Sequence, residues 1–162
     1  MRTHLTILMA ALAIAASAGG AWAMGNDPKP SPSSATPAGD PNYASAKAMI
    51  EAKNYGGAIP LLQQVVAKNP KNADAYNLLG YATRKSGNPQ GSLQYYTTAL
   101  QIDPKHLGAN EYIGEAYLML DQPQQAAQHL ARLDQLCVFG CAEHRELKAA
   151  IANYKAGKKP TN

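Results

Sequence analysis

Two cysteines and a histidine carry the most distinctive chemistry in this chain. Cys137 and Cys141 are the only cysteines among 162 residues, separated by Val138-Phe139-Gly140, and His144 follows. Three chemistries suit that set. Oxidised, the thiols form a disulfide, which three intervening residues allow if the chain turns at Gly140. Reduced, two thiolates with His144, joined by His129, can hold copper(I) or zinc. The third is a redox-active dithiol, although the usual spacing is Cys-x-x-Cys and no thioredoxin-like strand pattern surrounds this pair. An even cysteine count favours the structural disulfide in a chain bound for an oxidising compartment.

The other candidate groups are weaker. Glu111 and Glu115 stand four apart on one helix face, where paired carboxylates can do acid–base work, but no perturbing neighbour is evident. They read better as a solvated or partner-facing edge. His106, His129 and His144 are scattered and read as surface residues. There is no Gly-rich phosphate loop after a strand and no Ser-His-Asp order. A non-catalytic protein with no cofactor and no bound metal is expected.

The beginning of the chain reads as an address. Leu5 to Ala16 is apolar apart from Thr6, and small residues end in Ala21-Trp22-Ala23 before Met24. This is the pattern of a cleaved export signal over 1–23, and its apolar core is shorter than the roughly 20 residues of a membrane span. A periplasmic or secreted protein without an integral membrane span is therefore expected. Cleavage removes Arg2 and no acidic residue, lowering the formal charge from +4 to +3. So small a charge does not argue for nucleic acid. Residues 24–41 hold Pro28, Pro30, Pro32, Pro37 and Pro41 and, after Met24, no large apolar side chain, which predicts a disordered linker. The basic end, 156–162, reads as a solvated tail.

Between these segments the chain repeats itself every 34 residues. Ala58, Ser92 and Ala126 keep that step, as do Leu62, Tyr96 and Leu130, and Val65, Ala99 and Leu133. Gly80 recurs as Gly114, and Pro70 as Pro104. Breaks fall at Lys53-Asn54-Tyr55-Gly56, Ser86-Gly87-Asn88-Pro89 and Asp121-Gln122-Pro123, and again at Asn69-Pro70 and Asp103-Pro104. Pro60 is expected in the first turn of its helix, where proline forfeits no hydrogen bond. A hairpin of this length cannot bury its own apolar face, so each unit must lean on its neighbours. Gly80, Gly114 and Ala46 are expected where helices press together, and Leu62, Tyr96 and Leu130 between hairpins.

The second unit reads Tyr76-x2-Leu79-Gly80-x2-Thr83, then Ser92-x3-Tyr96, Ala99 and Pro104. The third reads Asn110-x2-Ile113-Gly114-x2-Tyr117, then Ala126-x3-Leu130. The pattern resembles the tetratricopeptide repeat, Trp-x2-Leu-Gly-x2-Tyr followed by Ala-x3-Phe, Ala and Pro. Asn42 and Asn110 replace the first aromatic, and Val138 replaces the closing proline. The resemblance implies an all-α superhelix over 42–155, with hairpins at about 42–72, 73–106 and 107–140 and a C-terminal capping helix at 142–155.

The resemblance also implies a function. First helices of such hairpins line a concave groove that binds peptides. Here the lining would be Tyr43, Lys47 and Ile50, then Asp74, Asn77, Tyr81, Arg84 and Lys85, then Gly108, Glu111, Glu115, Leu118 and Met119. Asn77, Tyr81, Arg84 and Lys85 also step by three and four along one stripe. Arg84 and Lys85 are expected to receive a partner's carboxylate, and Asn77 its backbone. The main expectation is an adaptor for a protein or peptide of the cell envelope. The alternatives are a redox or metal protein centred on Cys137, Cys141 and His144, and a structural subunit of an envelope assembly, including self-association through the last helix.

Overall fold

The computed structural model describes residues 39–161. The expected signal, 1–23, and most of the expected linker lie outside them. Among the described residues there are seven helices and no strand: α1 (Pro41–Glu51), α2 (Tyr55–Lys68), α3 (Ala73–Lys85), α4 (Pro89–Ile102), α5 (Leu107–Met119), α6 (Pro123–Leu136) and α7 (Ala142–Lys155). They pair as three antiparallel hairpins, α1/α2, α3/α4 and α5/α6, with α7 packed on α5 and α6.

Short polar side chains start the first four helices. Asp40 Oδ1 accepts the backbone N–H of Asn42 at 2.8 Å, and Asn54, Asn72 and Asn88 accept those of Gly57, Ala75 and Gly91. Each cap satisfies a donor that the first turn leaves orphaned, and is typically worth about 1 kcal/mol. Pro41, Pro89 and Pro123 occupy the first helical position. The first described helix is thus capped by Asp40 and starts at Pro41, two positions inside the stretch expected to be linker. Pro60 departs from expectation as well. α2 starts at Tyr55, so Pro60 is its sixth residue and lies past the first turn.

The turn inside each hairpin demands one backbone angle. Lys53, Gly87 and Asp121 stand 34 apart and all have positive φ, at 58°, 92° and 60°. Only one of the three is glycine, the residue that adopts this region without steric cost.

The periodic residues are the core. Ala58, Ser92 and Ala126 are completely buried, as are Leu62, Tyr96 and Leu133, while Val65 and Ala99 are nearly or fully so. Burying one such leucine stabilises the fold by about 2 kcal/mol. Gly80 admits the Tyr96 ring of its own hairpin, since a Cβ there would lie 2.6 Å from Cε1. Leu130 is only half-buried, and Gly114 instead admits Leu147 of α7, whose methyl carbons would lie 2.7 Å from a Cβ. The capping helix therefore supplies the third unit with a side chain that the second takes from its own hairpin.

Candidate functional site

α1, α3 and α5 bring the sequence-predicted lining together in slots 34 residues apart. Tyr43, Asn77 and Glu111 share one slot, Lys47, Tyr81 and Glu115 the next, and Ile50, Arg84 and Leu118 a third. The first slot is deep: Tyr43, Asn77 and Glu111 are all buried. Lys47 is exposed, while Tyr81, Lys85 and Glu115 are half-buried. Asp74 is turned to a structural task. Its Oδ1 lies 3.1 Å from Nε2 of His106, whose Nδ1 caps α5 by accepting the N–H of Ala109.

Arg84 is the electrostatic centre. It occupies a slot that is apolar in the neighbouring repeats, and only 3% of its surface is exposed. Its Nη2 meets Glu115 Oε2 at 2.7 Å, and its guanidinium carbon lies 5.5 and 5.6 Å from the centres of the Tyr81 and Tyr112 rings. Nε donates to the Tyr96 hydroxyl at 3.4 Å. A charge this desolvated needs a partner inside the protein, and Glu115 is that partner. Arg84 is therefore not free to receive a ligand's carboxylate, contrary to the sequence expectation. The tyrosines form a chain: Tyr55 to Tyr81 at 6.0 Å, Tyr81 to Tyr112 at 5.0 Å and Tyr112 to Tyr96 at 6.3 Å.

Glu111 also departs from the solvated edge expected of it. Only 3% exposed, it holds its proton up to about pH 9 because it is buried, because it hydrogen-bonds Glu146 of α7, and because Glu115 and Glu143 add negative field. A cleft of about 320 Å³ opens beside these groups, lined by Tyr81, Arg84, Lys85 and Tyr112 with Glu111, Glu115 and Glu146. Tyr112 and Glu146 were not legible in the sequence as lining residues. Glu146 enters only because α7 packs along α5. In the middle of the stripe, Asn77 is 7% exposed and its Oδ1 has no hydrogen-bond partner. A buried acceptor left unmatched costs free energy until something donates to it.

Two family models, both described as tetratricopeptide repeat, match residues 43–106 and 83–151. The chain belongs to the tetratricopeptide-repeat family. Three solved structures illustrate the likeness of this tetratricopeptide array. MamA 41-end from Desulfovibrio magneticus RS-1 is 27% identical, with a TM-score of 0.57 over 59% of this chain and 54% of that one. MamA AMB-1 is 22% identical, with a TM-score of 0.56 over 63% and 56%. PcrH, in complex with the chaperone binding region of PopD, is 18% identical, with a TM-score of 0.64 over 72% and 90%. The chain spans about half the length of the MamA chains it matches. No curated protein gives a significant match.

The cysteines lie at the far end of the tetratricopeptide array, in the link from α6 to α7. Cys137 and Cys141 are paired, with Cα atoms 5.5 Å apart. Val138 and Phe139 between them are thrust outward, Phe139 fully exposed. His144 Nε2 is turned to Asp134 Oδ1 at 2.7 Å. His129 is half-buried rather than superficial, stacked on Tyr117 and bonded through Nδ1 to Asn110 Oδ1, and burial lowers its pKa. Among the described residues no three His, Cys, Asp or Glu side chains converge on a point where a metal could sit, and no helix is long and apolar enough to cross a membrane.

Proposed function

We propose that this protein is an exported, non-catalytic adaptor that holds an extended segment of another envelope protein along the concave stripe of α1, α3 and α5. The observation that carries this reading is Asn77. Its amide sits at the centre of the stripe, 7% exposed, with Oδ1 unmatched, and rotation of the side chain would turn that acceptor to a partner's donor. Tyr81 beside it offers rigid amphipathic area, the kind of residue that anchors interfaces. The protein partner captured by PcrH is consistent with this use of the fold. Export is supported by the apolar stretch ending Ala21-Trp22-Ala23 and by the cysteine pair, which we take to be a disulfide in the mature protein.

The test is a crosslinked pull-down of the tagged protein from its native envelope fraction, alongside Asn77→Ala and Tyr81→Ala. Arg84 is a poor choice because its loss disturbs the fold. A partner held by the native chain and lost from both variants, with helicity and melting temperature retained, is the expected result. A partner retained by both would move the interface off the stripe. Mass spectrometry of the same sample reads the processed N-terminus, expected at Met24, and the thiol count, expected to be zero before reduction.

A further inference from the structure

The last residues are exposed, as a solvated tail would be, apart from half-buried Pro160, yet they do not run straight out from the domain. α7 ends in a reversal at Gly157, whose φ is +80°. Lys158 N–H donates to Asn153 O at 2.9 Å, and Gly157 N–H to Tyr154 O at 2.9 Å, the bonds of a glycine-closed helix end. That reversal sends the chain back toward α5. Lys159 Nζ pairs with Asp121 Oδ2, and the Tyr154 hydroxyl donates to the other oxygen of the same carboxylate at 3.0 Å. Pro160 and Thr161 then stand in the wall of the cleft that holds Tyr81, Arg84 and Glu115. A second cleft of about 410 Å³ places Lys158 and Lys159 across from Glu115 and Glu146.

The charges explain the seating. Glu111, Glu115 and Glu146 line this end of the groove with Arg84 and Lys85; Glu111 keeps its proton and Arg84 answers Glu115, so the charge left to face the tail is that of Glu146. A cation is therefore favoured beside Glu146, where the second cleft meets the tail, and Lys158 supplies it while Lys159 holds Asp121; the proline that follows keeps the backbone extended. We propose that the α5–α7 end of the groove takes a basic, extended segment of a partner protein, and that residues 158–161 are a tethered competitor which that segment must displace. The proposal rests on the concave-stripe reading and deepens it by naming the partner's chemistry. A site partly occupied by its own tail shows an affinity lowered in proportion to the fraction that remains open.

The test uses the mature chain and a fluorescein-labelled peptide, Ala-Gly-Lys-Lys-Pro-Thr-Asn, followed by fluorescence anisotropy. Gly157→Val releases the tail without touching the groove: a Cβ at 157 meets nothing within 4 Å, yet a β-branched residue resists positive φ. Lys159→Ala releases it by a second route. Both variants are expected to bind the peptide at least about fivefold more tightly than the native chain. Glu146→Gln in the Gly157→Val background is expected to weaken binding by about threefold or more, and added salt to weaken it further. Equal binding by native and tail-released chains would overturn the competitor. Equal binding of a Glu-Glu peptide in place of Lys-Lys would overturn the basic preference. Affinity that varies with protein concentration would assign the tail to a second copy's groove and overturn the tethering. An envelope partner lost on Asn77→Ala, from a protein that ignores the peptide, would overturn this inference alone and leave the adaptor standing.

Discussion

The second and third repeats place a glycine at the same position and fill the space above it differently. Over Gly80 lies the Tyr96 ring of the same hairpin, whereas over Gly114 lies Leu147 of the capping helix. The second unit is closed from within and the third is closed from outside. A repeat therefore specifies a hole, and the element that fills it depends on position in the array. The same contrast runs through the groove, where Asn77 and Glu111 share a slot and only the latter meets α7.

The sharpest way to break this comparison is Leu147→Ala. Leu147 is fully buried, and its loss is expected to destabilise the domain by about 3 kcal/mol and to loosen α7, read by urea denaturation and by amide exchange confined to α5–α7. A loss spread evenly over all seven helices would mean that the cap is not a local closure.

Next come the glycines themselves. Gly80→Ala presses on a rigid ring and is expected to cost about 2 kcal/mol net, after the gain of roughly 1 kcal/mol that alanine brings to a helix. Gly114→Ala presses only on the end of a flexible leucine, so the two terms are expected nearly to cancel. Equal costs in thermal melts would show that both holes are equally stiff.

The shared slot offers a titration. Folded, Glu111 keeps its proton up to about pH 9; unfolded, it loses it in the ordinary carboxylate range. Its contribution to stability is full below that range and is lost as pH rises through about 9, because the native state binds the extra proton. Glu111→Gln is expected to flatten the fall in stability between pH 5 and 9, in chemical melts at constant salt. The smallest effect is expected at the hairpin turns: Lys53→Gly relieves a positive φ and is expected to stabilise by about 0.5–1 kcal/mol, and Gly87→Ala to do the reverse.

These contrasts also mark what the sequence could and could not convey. The period identified Ala58, Ser92 and Ala126 as buried small residues, and the five breaks separated the first six helices, because close packing leaves a periodic trace. That Asn77, Tyr81 and Arg84 share one helix face was legible from their spacing; that this face lines a groove came from the family resemblance. What Arg84 does was not. Its partners Glu115, Tyr96 and Tyr112 lie on α4 and α5, and no local pattern says which of several acidic residues will meet a given cation. The tail escaped for a related reason: Gly157 reads as a helix stop, but where the reversed chain lands depends on Asp121, 38 residues away along the chain from Lys159.

The tyrosine chain makes the groove its own spectroscopic reporter. Trp22 is the only tryptophan, and it falls in the segment proposed to be removed. A processed chain would then emit only from tyrosine, and three links of about 5 to 6 Å run through Tyr55, Tyr81, Tyr112 and Tyr96 beside Arg84. Processing would register as the loss of indole emission, and occupancy of the groove as a change in phenol emission, without any attached dye.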